Sequence, residues 1–103
     1  MKHYRKNVKL HFSLHVSLFY AAKALDQTIS VCKELGDLRE VDALAERAAN
    51  MYMRHGSPET GAASLDKAAK ILEQQYPEQA LPLYMQAADI ASVNNKIVYV
   101  IYE

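Results

Sequence analysis

Hydrophobic positions between Leu18 and Val93 recur every three or four residues, which is the period of an amphipathic helix. Four stretches show this period, and short breaks marked by glycine or proline separate them. They predict helices over residues 17–35, 38–55, 58–74 and 77–93. Because the breaks are short, we expect consecutive helices to pack as antiparallel neighbours.

The second of these helices has recognisable signals at both ends. Asp37 followed three residues later by Glu40 has the spacing of a capping box at a helix start. Gly56 is predicted to end the helix in a left-handed conformation, while Ser57 and Pro58 suit the N-cap and first position of the next helix. Stop and start signals this close together predict a helical hairpin.

The chain also contains an internal repeat. Leu25–Asp26 recurs as Leu65–Asp66, and Ala48–Ala49 recurs as Ala87–Ala88, at offsets of 40 and 39 residues. A repeated unit of two helices with this length is typical of tetratricopeptide-like solenoids. We therefore predict an all-α, tetratricopeptide-like helical hairpin solenoid with two hairpins and four main helices, in which the small Ala48 lies at a close helix contact.

Both ends of the chain show a different pattern. Basic residues Lys2, Arg5, Lys6 and Lys9 are followed by strict alternation of apolar residues up to Leu18, which is a strand signal. The apolar run 97–102 at the other end is also strand-prone. The pattern thus divides the chain into an atypical basic and apolar segment (1–17), a helical repeat region (18–93) and an atypical tail (94–103), with non-helical or β-prone tails.

Four residues within the helical region call for separate interpretation. Pro82 falls inside the fourth predicted helix, where its missing N–H predicts a bend or a delayed helix start. Tyr52, Tyr76 and Tyr84 lie on or beside apolar stripes. We interpret these tyrosines as core or hairpin-packing residues rather than as a ligand site.

Composition adds limits on partners and compartment. The 12 basic residues equal the 12 acidic ones, so no net field favours nucleic acid or an anionic membrane. The single cysteine, Cys32, lies on an apolar stripe and has no second cysteine to pair with, which fits a reducing, cytosolic setting. No apolar run reaches the length of about 18 residues that would span a bilayer.

Patterns of catalytic or metal-binding chemistry are missing from the sequence. The three glycines are too dispersed for a phosphate loop, and His11 and His15, although spaced i, i+4, have no third ligand at a matching spacing. His55, at a helix end, is the one histidine of the helical region and has no nucleophile placed for it. The sequence therefore predicts no cofactor, no metal site and no enzymatic activity.

Five short motifs follow one another along the predicted helices and turns: Leu18–Ala24, Ala49–Tyr52, Gly56–Thr60, Pro77–Ala80 and Leu83–Tyr84. In order and spacing they resemble successive helices of soluble NSF attachment proteins, most of all the gamma type. The resemblance covers about residues 18–93. It implies a non-catalytic, all-helical adaptor that lies along a SNARE bundle and recruits the ATPase NSF to disassemble it. It also implies a cytoplasmic location, peripheral to transport-vesicle, Golgi or vacuolar membranes, as in ER–Golgi and other vesicle-mediated transport.

The chain departs from the pattern of that family in three ways. A full member has further helices on both sides and a C-terminal bundle whose tail stimulates the ATPase, whereas residues 1–17 and 94–103 do not look like family sequence. Pro82 is also unexpected. We therefore expect a truncated or fragmentary member, in which uncapped outer helices favour self-association.

The basic residues Arg54, Lys67 and Lys70 are the candidate partner-binding positions, because they lie near one predicted hairpin turn. Solvated surface charge is the competing interpretation of all three. Two functional alternatives also stay open at this point. One is an independent module that binds a peptide in its concave groove, and the other is a truncated product with no function of its own.

Overall fold

Four helices follow one another along the chain in the computed structural model. They are α1 (Lys2–Leu35), α2 (Val41–His55), α3 (Pro58–Leu72) and α4 (Pro77–Tyr102). The structure describes the backbone of residues 2–102, and the side chains of residue 14 and residues 16–93. Throughout residues 2–102 there is no strand, so the described chain is all-α.

The helices pack in chain order as two antiparallel hairpins. Most contacts between elements join α1 to α2, α2 to α3, and α3 to α4, while α1 touches α3 and α2 touches α4 only slightly. This arrangement confirms the tetratricopeptide-like hairpin packing predicted from the stripe period and the short turns.

Buried side chains come from the predicted stripes. The α1–α2 side of the core holds Ala22, Ala48 and Tyr52, each with 0% exposure. A larger cluster joins all four helices, and its fully buried members are Val41, Ala45, Leu65, Ala68, Ala69, Leu72 and Leu83. Ala48 is therefore a core residue, as expected.

The turn between α2 and α3 follows the predicted chemistry. Gly56 has φ 92°, its N–H donates to the Met53 carbonyl (3.0 Å), and the Ser57 N–H donates to the Tyr52 carbonyl (2.8 Å). These two bonds form a Schellman motif, which requires the left-handed conformation that glycine adopts at low cost. Ser57 and Pro58 then occupy the N-cap and the first turn of α3.

The start of α2 differs from the prediction. The helix begins at Val41, Glu40 is its N-cap without a side-chain cap bond, and the Asp37 carboxylate instead accepts hydrogen bonds from the Arg39 guanidinium (3.0 and 3.2 Å). Leu38 is only 7% exposed because its side chain packs in the larger core cluster. This contact holds the residues before Val41 in a turn. The prediction of a capping box formed by Asp37 and Glu40 is therefore wrong.

The prediction of non-helical or β-prone tails is also wrong. Residues 2–17 belong to α1 and residues 94–102 belong to α4. An isolated extended segment leaves its backbone N–H and C=O groups without partners, whereas each residue added to an existing helix gains a hydrogen bond without a new nucleation cost. The division of the sequence at residues 17 and 93 stays a prediction.

Pro82 lies inside α4, which begins at Pro77 and continues past it. The prediction of a delayed helix start is thus wrong, whereas the bend at Pro82 stays a prediction. The Pro82 side chain is exposed.

Candidate functional site

The three basic residues chosen from the sequence are all exposed, but they do not form one patch at the α2–α3 turn. Arg54 lies in the last turn of α2, whereas Lys67 follows Pro58 by nine positions, about 13 Å along the α3 axis. Lys67 and Lys70 share a side of α3 because three residues separate them. The structure therefore supplies a basic pair on α3 and a separate arginine on α2.

The surface around these residues carries charges of both signs. Asp66 lies next to Lys67 on α3, and Glu46 and Arg47 are neighbours on α2, all of them exposed. An ion pair joins Arg39 to Asp37, and it involves none of the three candidates. Arg54, Lys67 and Lys70 are thus exposed within a surface of mixed charge.

A partly buried polar cluster joins the first three helices. The Asp26 carboxylate of α1 accepts a hydrogen bond from the Tyr52 hydroxyl of α2 (2.7 Å) and another from the Ser64 hydroxyl of α3 (2.6 Å). Tyr52 is 0% exposed and Ser64 is 7% exposed. We call these three residues the Asp26 triad.

Electrostatics in the Asp26 triad favour the neutral phenol. Burial raises the pKa of Tyr52 above its ordinary value, and the hydrogen bond to the Asp26 carboxylate and the charge of that carboxylate raise it further. A phenolate at this position would lose hydration and would face a carboxylate 2.7 Å away. The Tyr52 proton is therefore held firmly between the two oxygens.

The Asp26 triad suits a structural role. Both hydroxyl protons are committed to one carboxylate, and Ser64 lies between packed helices where a substrate has no access. His55, the histidine nearest in sequence to Tyr52, has its Nδ1 3.0 Å from the Ser57 hydroxyl. The triad therefore ties three helices together rather than presenting a nucleophile.

The sequence did not reveal the Asp26 triad, because a carboxylate at the border of an apolar helix stripe is ordinarily read as solvated surface. One signal was present: position 26 follows Ala22 by four residues and precedes Ile29 by three, so it borders the buried stripe. The partners, however, lie 26 and 38 positions away along the chain. Helical periodicity does not reveal such distant pairs.

The other tyrosines have different surroundings. Tyr84 is half-buried against the core, and its hydroxyl donates to the Glu73 carboxylate (2.8 Å), while Tyr76 is 36% exposed beside the α3–α4 turn. The Phe19 ring lies beside the rings of Tyr52 and His55, with centroid distances of 6.2 and 5.3 Å. The prediction of core or hairpin-packing tyrosines is thus confirmed at Tyr52 and Tyr84, whereas Tyr76 is exposed and is not a core residue.

The described residues show neither a metal site nor a membrane span. They contain no group of three or more His, Cys, Asp or Glu side chains arranged to hold an ion. His11 and His15 lie outside the residues whose side chains are described. Cys32 is half-buried and packs against the larger core cluster, and none of the described helices combines the length and hydropathy of a membrane span.

Comparison with known proteins finds similarity to gamma-soluble NSF attachment proteins. The protein of that name from Dictyostelium discoideum is 28% identical over 83 residues, which cover 80% of this chain and 26% of the relative. The Arabidopsis thaliana protein of the same name is 29% identical over 77 residues, which cover 75% of this chain and 26% of the relative. The chain thus spans about a quarter of the length of these relatives. No family model and no solved structure matches it.

Proposed function

We propose that this chain is a SNAP-like, non-catalytic adaptor segment that contributes two helical hairpins to the linkage between SNARE proteins and the ATPase NSF. The observation that carries the proposal is the similarity to two gamma-soluble NSF attachment proteins over three quarters or more of the chain. Matches of that length in a chain of 103 residues necessarily include α2 and α3.

The fold supports an adaptor role through its surface. Helices packed side by side in chain order leave long helix faces on both sides of the array, and such faces bind extended or helical partners in solenoid proteins. In this proposal, Lys67 and Lys70 contact acidic side chains of the SNARE bundle, and Arg54 forms a second contact nearer the α2–α3 turn. The chain is then held peripherally at transport-vesicle, Golgi or vacuolar membranes by the SNARE proteins that it binds.

A disassembly assay tests the proposal. Preassembled SNARE complexes, NSF and ATP are incubated with this chain alone, with a full-length gamma-soluble NSF attachment protein, or with both. Because the chain spans about a quarter of its relatives, we expect it to bind the SNARE complex without supporting disassembly alone. We also expect it to slow the reaction of the full-length protein by competition.

Charge reversal refines this test. The double variant Lys67→Glu with Lys70→Glu should weaken both binding and competition, whereas Lys33→Glu, an exposed lysine on α1, serves as the matched control. Each lost contact between exposed charges is worth about 0.2–1 kcal/mol, so the double variant should bind several-fold more weakly at low salt. Absence of any SNARE binding by the wild-type chain, or full disassembly by the chain alone, would contradict the proposal.

A further inference from the structure

Throughout residues 2–102, Ser57 is the one serine or threonine that lies outside a helix. It occupies the α2–α3 turn between the left-handed Gly56 and Pro58, and its φ of −122° and ψ of 64° are not helical. A protein kinase must align a hydroxyl with the γ-phosphate of ATP, and a hydroxyl inside a helix can be aligned only after that helix opens. At Ser57 a change in the turn alone is enough.

The hydroxyl groups within the helices are less available. Thr28 and Ser30 donate hydrogen bonds to backbone carbonyls one turn earlier in α1, at 2.9 and 3.2 Å. Ser64 is 7% exposed, between packed helices. Ser57 instead lines an open cleft of about 380 Å³, which is formed by residues 56–60 and leaves room for a phosphate group.

The residues on either side of Ser57 are ones that serine kinases select. Pro58 follows the serine directly, and a proline there has no N–H that would need a partner in the cleft of a proline-directed kinase. Arg54 precedes it by three positions and is exposed, and a guanidinium suits the carboxylates of an arginine-directed kinase. Two separate features of the sequence thus point to the same hydroxyl.

The surroundings of Ser57 also suit an attached phosphate. The imidazole Nδ1 of His55 lies 3.0 Å from the Ser57 hydroxyl. The Ser57 side chain makes no cap bond at the start of α3, where the helix dipole favours negative charge. The exposed carboxylate of Glu59 opposes the phosphate, so we expect a modest net stabilisation.

We propose that Ser57 is a phosphorylation site, and that the attached phosphate stabilises the α2–α3 turn through His55 and the first turn of α3. In the reaction the Ser57 oxygen forms a bond to the γ-phosphorus of ATP, the bond from this phosphorus to the β,γ-bridging oxygen breaks, and ADP leaves. The hydroxyl proton passes to the catalytic carboxylate of the kinase. The proposal does not depend on the proposed adaptor function.

Phosphorylation of the full chain tests the proposal. The chain is incubated with Mg-ATP and either a proline-directed or an arginine-directed serine kinase, and the product is analysed by intact and peptide mass spectrometry. We expect at least one of these kinases to add a single phosphate group, on Ser57. Ser57→Ala should abolish the incorporation, whereas Thr60→Ala, which removes an exposed hydroxyl inside α3, should leave it unchanged.

Thermal unfolding then measures what the phosphate does to the turn. The modified chain should melt about 2–6 °C above the unmodified one, because negative charge is favourable at a helix N-terminus. The rise on modification, compared within each variant, should be smaller in His55→Ala than in the wild type. Three results would each overturn the proposal: no incorporation by either kinase, phosphate on other residues alone, or a melting temperature that does not rise.

Discussion

At the scale of single residues, the Tyr52 hydroxyl makes the most consequential polar contact in the core. Its bond to Asp26 is short and its side chain is fully buried. Tyr52→Phe removes this hydrogen bond to a charged acceptor while leaving the ring packing unchanged. We expect the free energy of unfolding at neutral pH to fall by about 1–2 kcal/mol, measured by urea denaturation.

The raised pKa of Tyr52 also predicts a dependence on alkaline pH. In the unfolded chain the phenol loses its proton near its ordinary pKa of about 10, while burial and then Asp26 hold the proton in the folded chain to higher pH. The contribution of this group to stability is therefore complete below pH 10 and is lost as pH rises above that value toward the folded pKa.

The test compares how steeply the free energy of unfolding falls above pH 10 in two variants. Tyr52→Phe should show a shallower decline than the wild type, and Tyr20→Phe, which alters an exposed ring, should follow the wild type. Equal slopes for Tyr52→Phe and the wild type would show that the folded chain does not hold the Tyr52 proton.

A larger side chain at position 48 tests how tightly α1 and α2 pack. The residue is 0% exposed and packs in the cluster of Ala22 and Tyr52, so extra methylene groups have no room. Ala48→Leu should lower the free energy of unfolding by about 1–3 kcal/mol through overpacking. The exposed Ala43, changed to leucine on the same helix, should leave the thermal midpoint nearly unchanged.

At the scale of elements, sequence signals predicted a helix end correctly where local backbone conformation determines it. The left-handed Gly56 and the following Ser57 and Pro58 fix the α2–α3 turn within a few residues, so the sequence pattern sufficed. The start of α2 was missed because burial of Leu38, a tertiary effect, overrode the capping pattern of Asp37 and Glu40. The tails were missed because alternation indicates a strand only where a neighbouring strand exists to pair with it.

Gly61 determines how closely α3 approaches α2. A Cβ there would lie 3.1 Å from the Ala49 carbonyl oxygen and 3.5 Å from the Tyr52 Cβ, and a backbone carbonyl within a helix moves little. Gly61→Val should therefore lower the free energy of unfolding by about 1–3 kcal/mol. Ala63→Val, at an exposed position of α3, isolates the helix-propensity effect of a β-branched residue and should cost less than 1 kcal/mol.

At the scale of the whole molecule, the order of the helices followed from the sequence, but the surface that a partner would meet did not. Short turns require consecutive helices to be neighbours, and the recurrence of Ala48 as Ala87 indicates a repeating unit of one helical hairpin. The separation of Arg54 from Lys67 and Lys70 depends on the antiparallel course of α2 and α3, which a sequence distance of 13 residues does not convey. The Asp26 triad likewise depends on three helices meeting at one point.

That meeting point has a consequence for the curvature of the array. The superhelical pitch of a solenoid follows from the small rotation between successive repeats. Apolar contacts tolerate some rotation because they are non-directional, whereas two hydrogen bonds of 2.6 and 2.7 Å to one carboxylate are directional. Asp26 belongs to the first hairpin and Ser64 to the second, so their hydrogen bond should restrict rotation of one repeat against the other.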